Sequence, residues 1–151
     1  MLDMVKELEK TLHIHAGDLP FIPIAPGQEA RVLMARPEEN IYAIQLRAEP
    51  FCRSALHKHH TPVLAFTTAG IWGHDEQYLY RPGTFIFETP SVIHQFINGP
   101  EWTEAVFIGD PNLDMVDPET LETTGSFNGV AMINDYIRKC EGRGISPTYL
   151  T

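Results

Sequence analysis

The chain has 151 residues, 43% of them hydrophobic and 21% charged, the composition of a globular protein long enough to bury one substantial core. Its formal charge of -9 opposes binding to nucleic acid or to an anionic membrane surface, and no basic run offsets it. No apolar stretch nears the roughly 20 residues of a membrane span, so a cytoplasmic protein that meets a small molecule or another protein is expected.

At the N-terminus, Leu2, Val5, Leu8 and Leu12 recur at helical spacing, which predicts a short amphipathic helix over 2–11. The texture changes at "DLPFIPIAPG". From there, short runs rich in β-branched and aromatic residues follow one another: "ARVLMAR", "IYAIQLRAE", "PVLAFTTAGIWG", "QYLYRPG", "TFIFETP", "VIHQFI" and "TEAVFIGD". Pro-Gly, Gly and Asn-Gly turn signals separate them, which predicts an all-β sandwich or barrel. An acidic hairpin or loop, "DPNLDMVDPETLETTG", comes next. Then Val130, Ile133, Tyr136, Ile137 and Cys140 predict one face of a closing helix, with Asn128 as its N-cap and Gly142 as its stop. The expected organisation is a single domain with an arm over 1–26, a barrel over 27–110, and the acidic segment and helix over 111–151. Cys52 and Cys140 are too few for a disulfide framework and are expected as reduced thiols.

Three of the seven histidines crowd into "SALHKHHTPV". On a strand, His57 and His59 project to one face and His60 to the other, so the first two can share a metal ion. A held metal with an open position needs a third protein ligand. His94 is the candidate, because the turn in "GTFIFETPSVIHQF" can return it beside a distant strand. A lone His-x-His pair also serves as a polar surface feature or a hydrogen-bonded pair, and the same chain holds a decoy in His13 and His15.

These residues resemble the two motifs of the cupins. The first is "HKH" at 57–59 with "VLAFTTAG" ending at Gly70, and the second is "PGTFIFETPSVIH" with Gly83, Pro90 and His94 in place. Within that superfamily the chain is similar to the small 2,4'-dihydroxyacetophenone dioxygenase-like and acetylacetone-cleaving proteins, from "HIHAGDLPFIP" to the closing "FNGVAMINDYIRKCEGRGISPTYL". The resemblance implies a double-stranded β-helix, or jelly-roll barrel, with a short helix at each end and a metal inside. It implies His57, His59 and His94 as the ligands.

The motif's Glu, a few residues after the second His, is absent, since Val63 and Leu64 stand there. That leaves a neutral three-His set, as in cupins that cleave carbon–carbon bonds of diketones and hydroxyketones. A doubly positive ion so held favours an anionic bidentate substrate such as an enolate. Glu76 is a candidate fourth ligand, with Asp75 competing and a solvated "HDEQ" turn as the plain alternative. The implied activity is that of an Fe(II)-dependent dioxygenase acting on a small ketone with dioxygen, with no catalytic group beyond the metal centre. Zn(II) or Ni(II) are the other expected occupants.

Phe66, Trp72, Phe96 and Arg53 are the candidate substrate pocket, and with Phe85, Phe87 and Phe107 these aromatics are expected to build the barrel core. His60 and His74 are expected to be exposed or simply hydrogen-bonded, with orientation of a ligand or substrate around the metal as the alternative. Two other functions fit the same fold: a zinc-binding sensor, as in the cupin domains of anti-sigma regulators, and a metal-dependent isomerase or hydrolase. Pairing through edge strands, giving a homodimer or homotetramer, is expected.

Overall fold

A computed structural model of the chain describes residues 11–147 and residue 150. The helix expected over 2–11 therefore falls outside the described residues, save for Thr11, which is not helical.

Among the described residues there are twelve strands: β1 (Ile22–Ala25), β2 (Gln28–Arg36), β3 (Ile41–Ala48), β4 (His57–His59), β5 (Val63–Ala69), β6 (Trp72–Gly73), β7 (Phe85–Glu88), β8 (Ile93–His94), β9 (Ile97–Asn98), β10 (Thr103–Gly109), β11 (Leu113–Val116) and β12 (Thr123–Phe127). They form a six-stranded sheet in the order β1-β2-β3-β10-β5-β7, a four-stranded sheet in the order β12-β11-β4-β8, and the pair β6-β9, every pairing antiparallel. This is the jelly-roll arrangement, in which antiparallel strands wrap into a double sheet around a closed interior. The strands reach past both ends of the expected 27–110 core. The acidic segment is the β11–β12 hairpin, and its first strand pairs with β4. "QYLYRPG" forms no strand; only Tyr80 bridges back to Trp72.

The interior follows the pleat. On β5, Val63, Ala65 and Thr67 are buried while Phe66 is exposed, as period-two alternation requires. One cluster, Leu46, Ala48, Cys52, Ala65, Trp72, Ile86, Phe96 and Ala105, fills the barrel. Trp72 is wholly buried, stacks on Phe96 with centroids 4.7 Å apart, and donates its indole N–H to Thr67 Oγ1 at 2.8 Å. Gly70 lets the chain leave β5: its φ is +73°, and a Cβ there would stand 2.3 Å from Thr103 Oγ1.

A second cluster lies between the first strands and the helix α1 (Gly129–Glu141), where Ile133, Tyr136 and Cys140 meet Ile22, Val32 and Tyr42. Asn128 caps this helix by accepting from the Ala131 N–H at 3.1 Å, a contact worth about 1 kcal/mol. Val130, expected on the buried face, is exposed. The turn out of the helix is made at Gly144, with φ +74°, while Gly142 keeps helical angles. Among the described residues no helix is long and apolar enough to cross a membrane.

Candidate metal centre

β4 sits between β11 and β8, and His57 is the direct cross-strand partner of His94. Residues opposite one another on an antiparallel pair project to the same face. Alternation along β4 puts His59 on that face too, so three imidazoles meet. Their ring centroids are 5.1 Å (His57 to His59), 4.9 Å (His57 to His94) and 5.3 Å (His59 to His94) apart, and one ligand nitrogen from each lies within 4.8 Å of the others. His60 points away, as its parity requires, and pairs with Asp114 at 2.9 Å.

Two further side chains enter the cluster: Glu88, which the sequence did not single out, and His74, whose place around the metal was the alternative to a merely hydrogen-bonded side chain. Glu88 ends β7 as the cross-strand partner of Val63 on β5. It is buried, with Oε2 at 3.3 Å from His59 Nε2 and 3.4 Å from His94 Nε2. His74, just past β6, stacks on His94 with centroids 4.5 Å apart and planes 8° off parallel. Its Nε2 lies 3.4 Å from Glu88 Oε1, and its Nδ1 is hydrogen-bonded to the Tyr80 hydroxyl at 3.0 Å. His74, Glu88 and His94 thus form a second ligand-capable trio that shares His94 with the first.

The electrostatics favour ligation over protonation. Burial pushes His94 down to about 4, against an opposing pull from Glu88, so its ring is neutral at neutral pH. Burial also lowers His57, although a hydrogen bond to the Ala55 carbonyl works against it. That bond, 2.7 Å from His57 Nδ1, fixes the tautomer: a carbonyl only accepts, so Nδ1 carries the proton and Nε2 keeps its lone pair. For Glu88, burial acts upward, but hydrogen bonds from His59 and His74 and the imidazoles around it outweigh it and hold the carboxyl at about 2. It is an anion at any physiological pH.

Two buried ring nitrogens, His59 Nδ1 and His94 Nε2, have no hydrogen-bond partner among the described residues. A buried polar atom left unpaired costs about 1–3 kcal/mol. Several imidazoles around one buried carboxylate are a donor set suited to a divalent transition metal, so the residues present fit such an ion.

The cluster lines a cavity of about 490 Å³. Its walls are mainly apolar, with Ile44, Leu46, Phe107, Leu113, Met115 and Met132 among them. Of the expected pocket residues, Phe96 and Arg53 line this cavity and the other two do not. Phe66 is on the outer face of β5, and Trp72 is packed in the core behind Phe96. Phe85 and Phe87, expected in the core, are exposed on β7, while their neighbours Ile86 and Glu88 point inward.

Glu76 is not at the cluster. Its side chain is 72% exposed and ion-paired with Arg53, because the 74–79 turn carries it to the surface. Asp75 is also exposed and is occupied in capping the Gln77 N–H. The nearby carboxylate is Glu88 instead. A signal for it existed in the alternation of "FIFE", which must place Glu88 with Ile86 on one face or the other.

The family model of the ChrR Cupin-like domain matches residues 9–114, well over half of the chain. The chain belongs to that cupin family. No curated protein matches this cupin by sequence. Among solved structures, an RmlC-like cupin protein from Ralstonia eutropha aligns with a TM-score of 0.80 at 20% identity, over 95% of this chain and 98% of that one. An acetylacetone dioxygenase from Acinetobacter johnsonii aligns with a TM-score of 0.69 at 16% identity, over 85% of this cupin and 91% of that chain. The complex of SigE with the anti-sigma ChrR from Rhodobacter sphaeroides aligns with a TM-score of 0.54 at 13% identity, over 64% and 51%. At these identities the likeness is one of fold.

Proposed function

We propose that this cupin is a metal-dependent dioxygenase that holds Fe(II) and cleaves a carbon–carbon bond in a small diketone or hydroxyketone. The observation that carries the reading is the meeting of His57, His59 and His94 in the wall of a mainly apolar cavity. When bound there, ferrous iron supplies Lewis acidity toward ketone oxygens and the redox capacity to use dioxygen.

The chain's own residues supply the rest. The imidazoles of His57 and His94, kept neutral by burial, offer lone pairs without adding charge, and the Ala55 contact leaves the His57 lone pair on Nε2. The apolar walls take the body of a ketone and keep water from its reacting end. Glu88, held as an anion by the hydrogen bonds it accepts from His59 and His74, adds one negative charge and orients the rings beside it. Arg53 lines the cavity while tied to Glu76, which leaves it able to meet an oxyanion at the cavity wall.

Oxygen uptake by the iron-loaded protein, measured on an oxygen electrode with acetylacetone and dihydroxyacetophenones, tests this reading. Substrate-dependent uptake that stops on chelation is expected. Uptake no greater than that of the His94→Ala protein with every ketone tried would reject it.

A second reading has support from the ChrR family match: a zinc-binding cupin that senses or binds a ligand without oxidative turnover. Imidazole suits zinc as well as iron. Stoichiometric zinc in the isolated protein, with no oxygen uptake after iron loading, would favour it.

A further inference from the structure

The metal reading leaves Tyr80 and His74 without a task. His74 touches two members of the site and Tyr80: its ring stacks on His94, its Nε2 faces Glu88 Oε1 at 3.4 Å, and its Nδ1 meets the Tyr80 hydroxyl at 3.0 Å. Tyr80 is fixed in turn, with its ring edge against Trp72 at 4.8 Å and its backbone N–H on the Trp72 carbonyl at 2.9 Å. Trp72 is wholly buried in the barrel core. An unbroken series of contacts therefore runs from the rigid core to one oxygen of Glu88.

The hydrogen-bond directions along this series follow from what each group can do. A carboxylate only accepts, so His74 Nε2 carries the proton it gives to Glu88 Oε1. The Nδ1 of a neutral ring is then an acceptor, and the Tyr80 hydroxyl donates to it. With Oε1 engaged in this way, Oε2 is the oxygen turned to His59 and His94.

We propose that Tyr80 and His74 are positioning residues that aim Glu88 Oε2 at the His57–His59–His94 group, making Glu88 a carboxylate ligand of this metal centre. This rests on the metal reading above and deepens it. Glu88 reaches the group from β7, where the three histidines come from β4 and β8. Its charge lowers that of a divalent ion in the site from two to one, which weakens capture of a dianionic ligand and leaves a monoanionic enolate attracted.

The test is titration of the metal-free protein with Co(II), followed by its visible absorption, which reports the number and kind of ligands. For the wild-type protein, one Co(II) bound per chain is expected, with His94→Ala losing it. Glu88→Gln should weaken binding and change the spectrum. Tyr80→Phe and His74→Gln should each keep the stoichiometry, weaken binding roughly 10- to 100-fold as loss of a supporting contact does, and shift the spectrum toward that of Glu88→Gln. In a Glu88→Gln background, Tyr80→Phe should have no further effect, since it acts through the carboxylate. A merely structural role for Tyr80 would persist in that background.

If the wild-type protein takes up no Co(II), or His94→Ala takes it up equally well, the metal reading fails and this proposal with it. If metal binding depends on His94 but Tyr80→Phe and His74→Gln bind and absorb as wild type, only the positioning proposal is overturned. It is likewise overturned if His74→Gln loses the ion as completely as His94→Ala, which would make His74 a ligand in its own right.

Discussion

Val63 and Glu88 are direct partners across the β5–β7 ladder, so an apolar residue stands where the cupin motif would place a carboxylate and a carboxylate stands opposite it on the next strand. Directly opposed side chains on one face have Cβ atoms about 4.5–5.5 Å apart, close enough for either to reach the same interior point. Exchange of the two residues should therefore be partly tolerated. Glu88→Val is expected to lose metal affinity, and the double variant Val63→Glu, Glu88→Val to recover part of it. No recovery in a folded double variant, measured by competition with a chromophoric chelator, would show that Glu88's place on β7 matters beyond its charge.

The neighbouring carboxylate, Glu76, gives the complementary expectation. It is exposed and tied to Arg53, an ion pair worth about 0–1 kcal/mol. Glu76→Ala should leave metal content at the wild-type level and change stability by less than about 1 kcal/mol. A drop in metal content as large as that of Glu88→Gln would contradict the placement of these two groups.

Among the histidines of the "HKHH" run, parity decides the outcome. His57→Ala and His59→Ala should leave the purified protein with little metal, whereas His60→Ala, which loses a surface contact with Asp114, should retain it. Elemental analysis of the three proteins checks this. Equal metal in all three would mean that the ion sits elsewhere.

The sequence made the histidine trio legible because its geometry is local: two residues two apart on a strand share a face whatever surrounds them. The return of His94 beside them was readable through the turn in "ETPSV". Glu88 was not, because the same alternation admits two faces for "FIFE". Apolarity favours turning Phe85 and Phe87 inward, and here the inner face is the one that carries the polar cluster. His74 was legible only as an alternative to an exposed or hydrogen-bonded side chain, for a different reason. It lies beyond a two-residue strand in an irregular turn, where position is set by Trp72 and Tyr80 packing and not by a period. The barrel itself was legible from turn spacing, but its true edges were not: the acidic segment reads as a hairpin or loop, and nothing local says that β11 pairs with β4 and so extends the sheet.

The Trp72 core should be the most sensitive point for stability. Trp72→Ala removes a wholly buried ring that packs on Phe96, Tyr80 and Phe107, and should cost about 3–5 kcal/mol. Thr67→Ala strands the indole N–H and should cost about 1–3 kcal/mol. Urea unfolding of both variants measures these losses. A Thr67→Ala protein as stable as wild type would mean the indole finds another acceptor.

Acid should destabilise the metal-free protein in two stages. His94 is held at about 4, below its ordinary 6.5, so the unfolded chain binds the proton first and stability falls as pH drops from 6.5 toward 4. Glu88 is held at about 2, below its ordinary 4.5, so its contribution is present above 4.5 and is lost as pH falls from there toward 2. Thermal unfolding of the metal-free protein should move down by several degrees between about pH 7 and pH 4. His94→Gln should flatten the upper stage and leave the lower one. A midpoint that rises on acidification would contradict the burial of these groups.

The central claim is that a divalent metal sits among His57, His59 and His94. An anomalous difference map from crystals of the metal-loaded protein measures it directly. The expected result is one strong peak about 2.0–2.2 Å from a ring nitrogen of each of the three. Binding in solution together with a peak elsewhere on the chain, or with none between those rings, would contradict it.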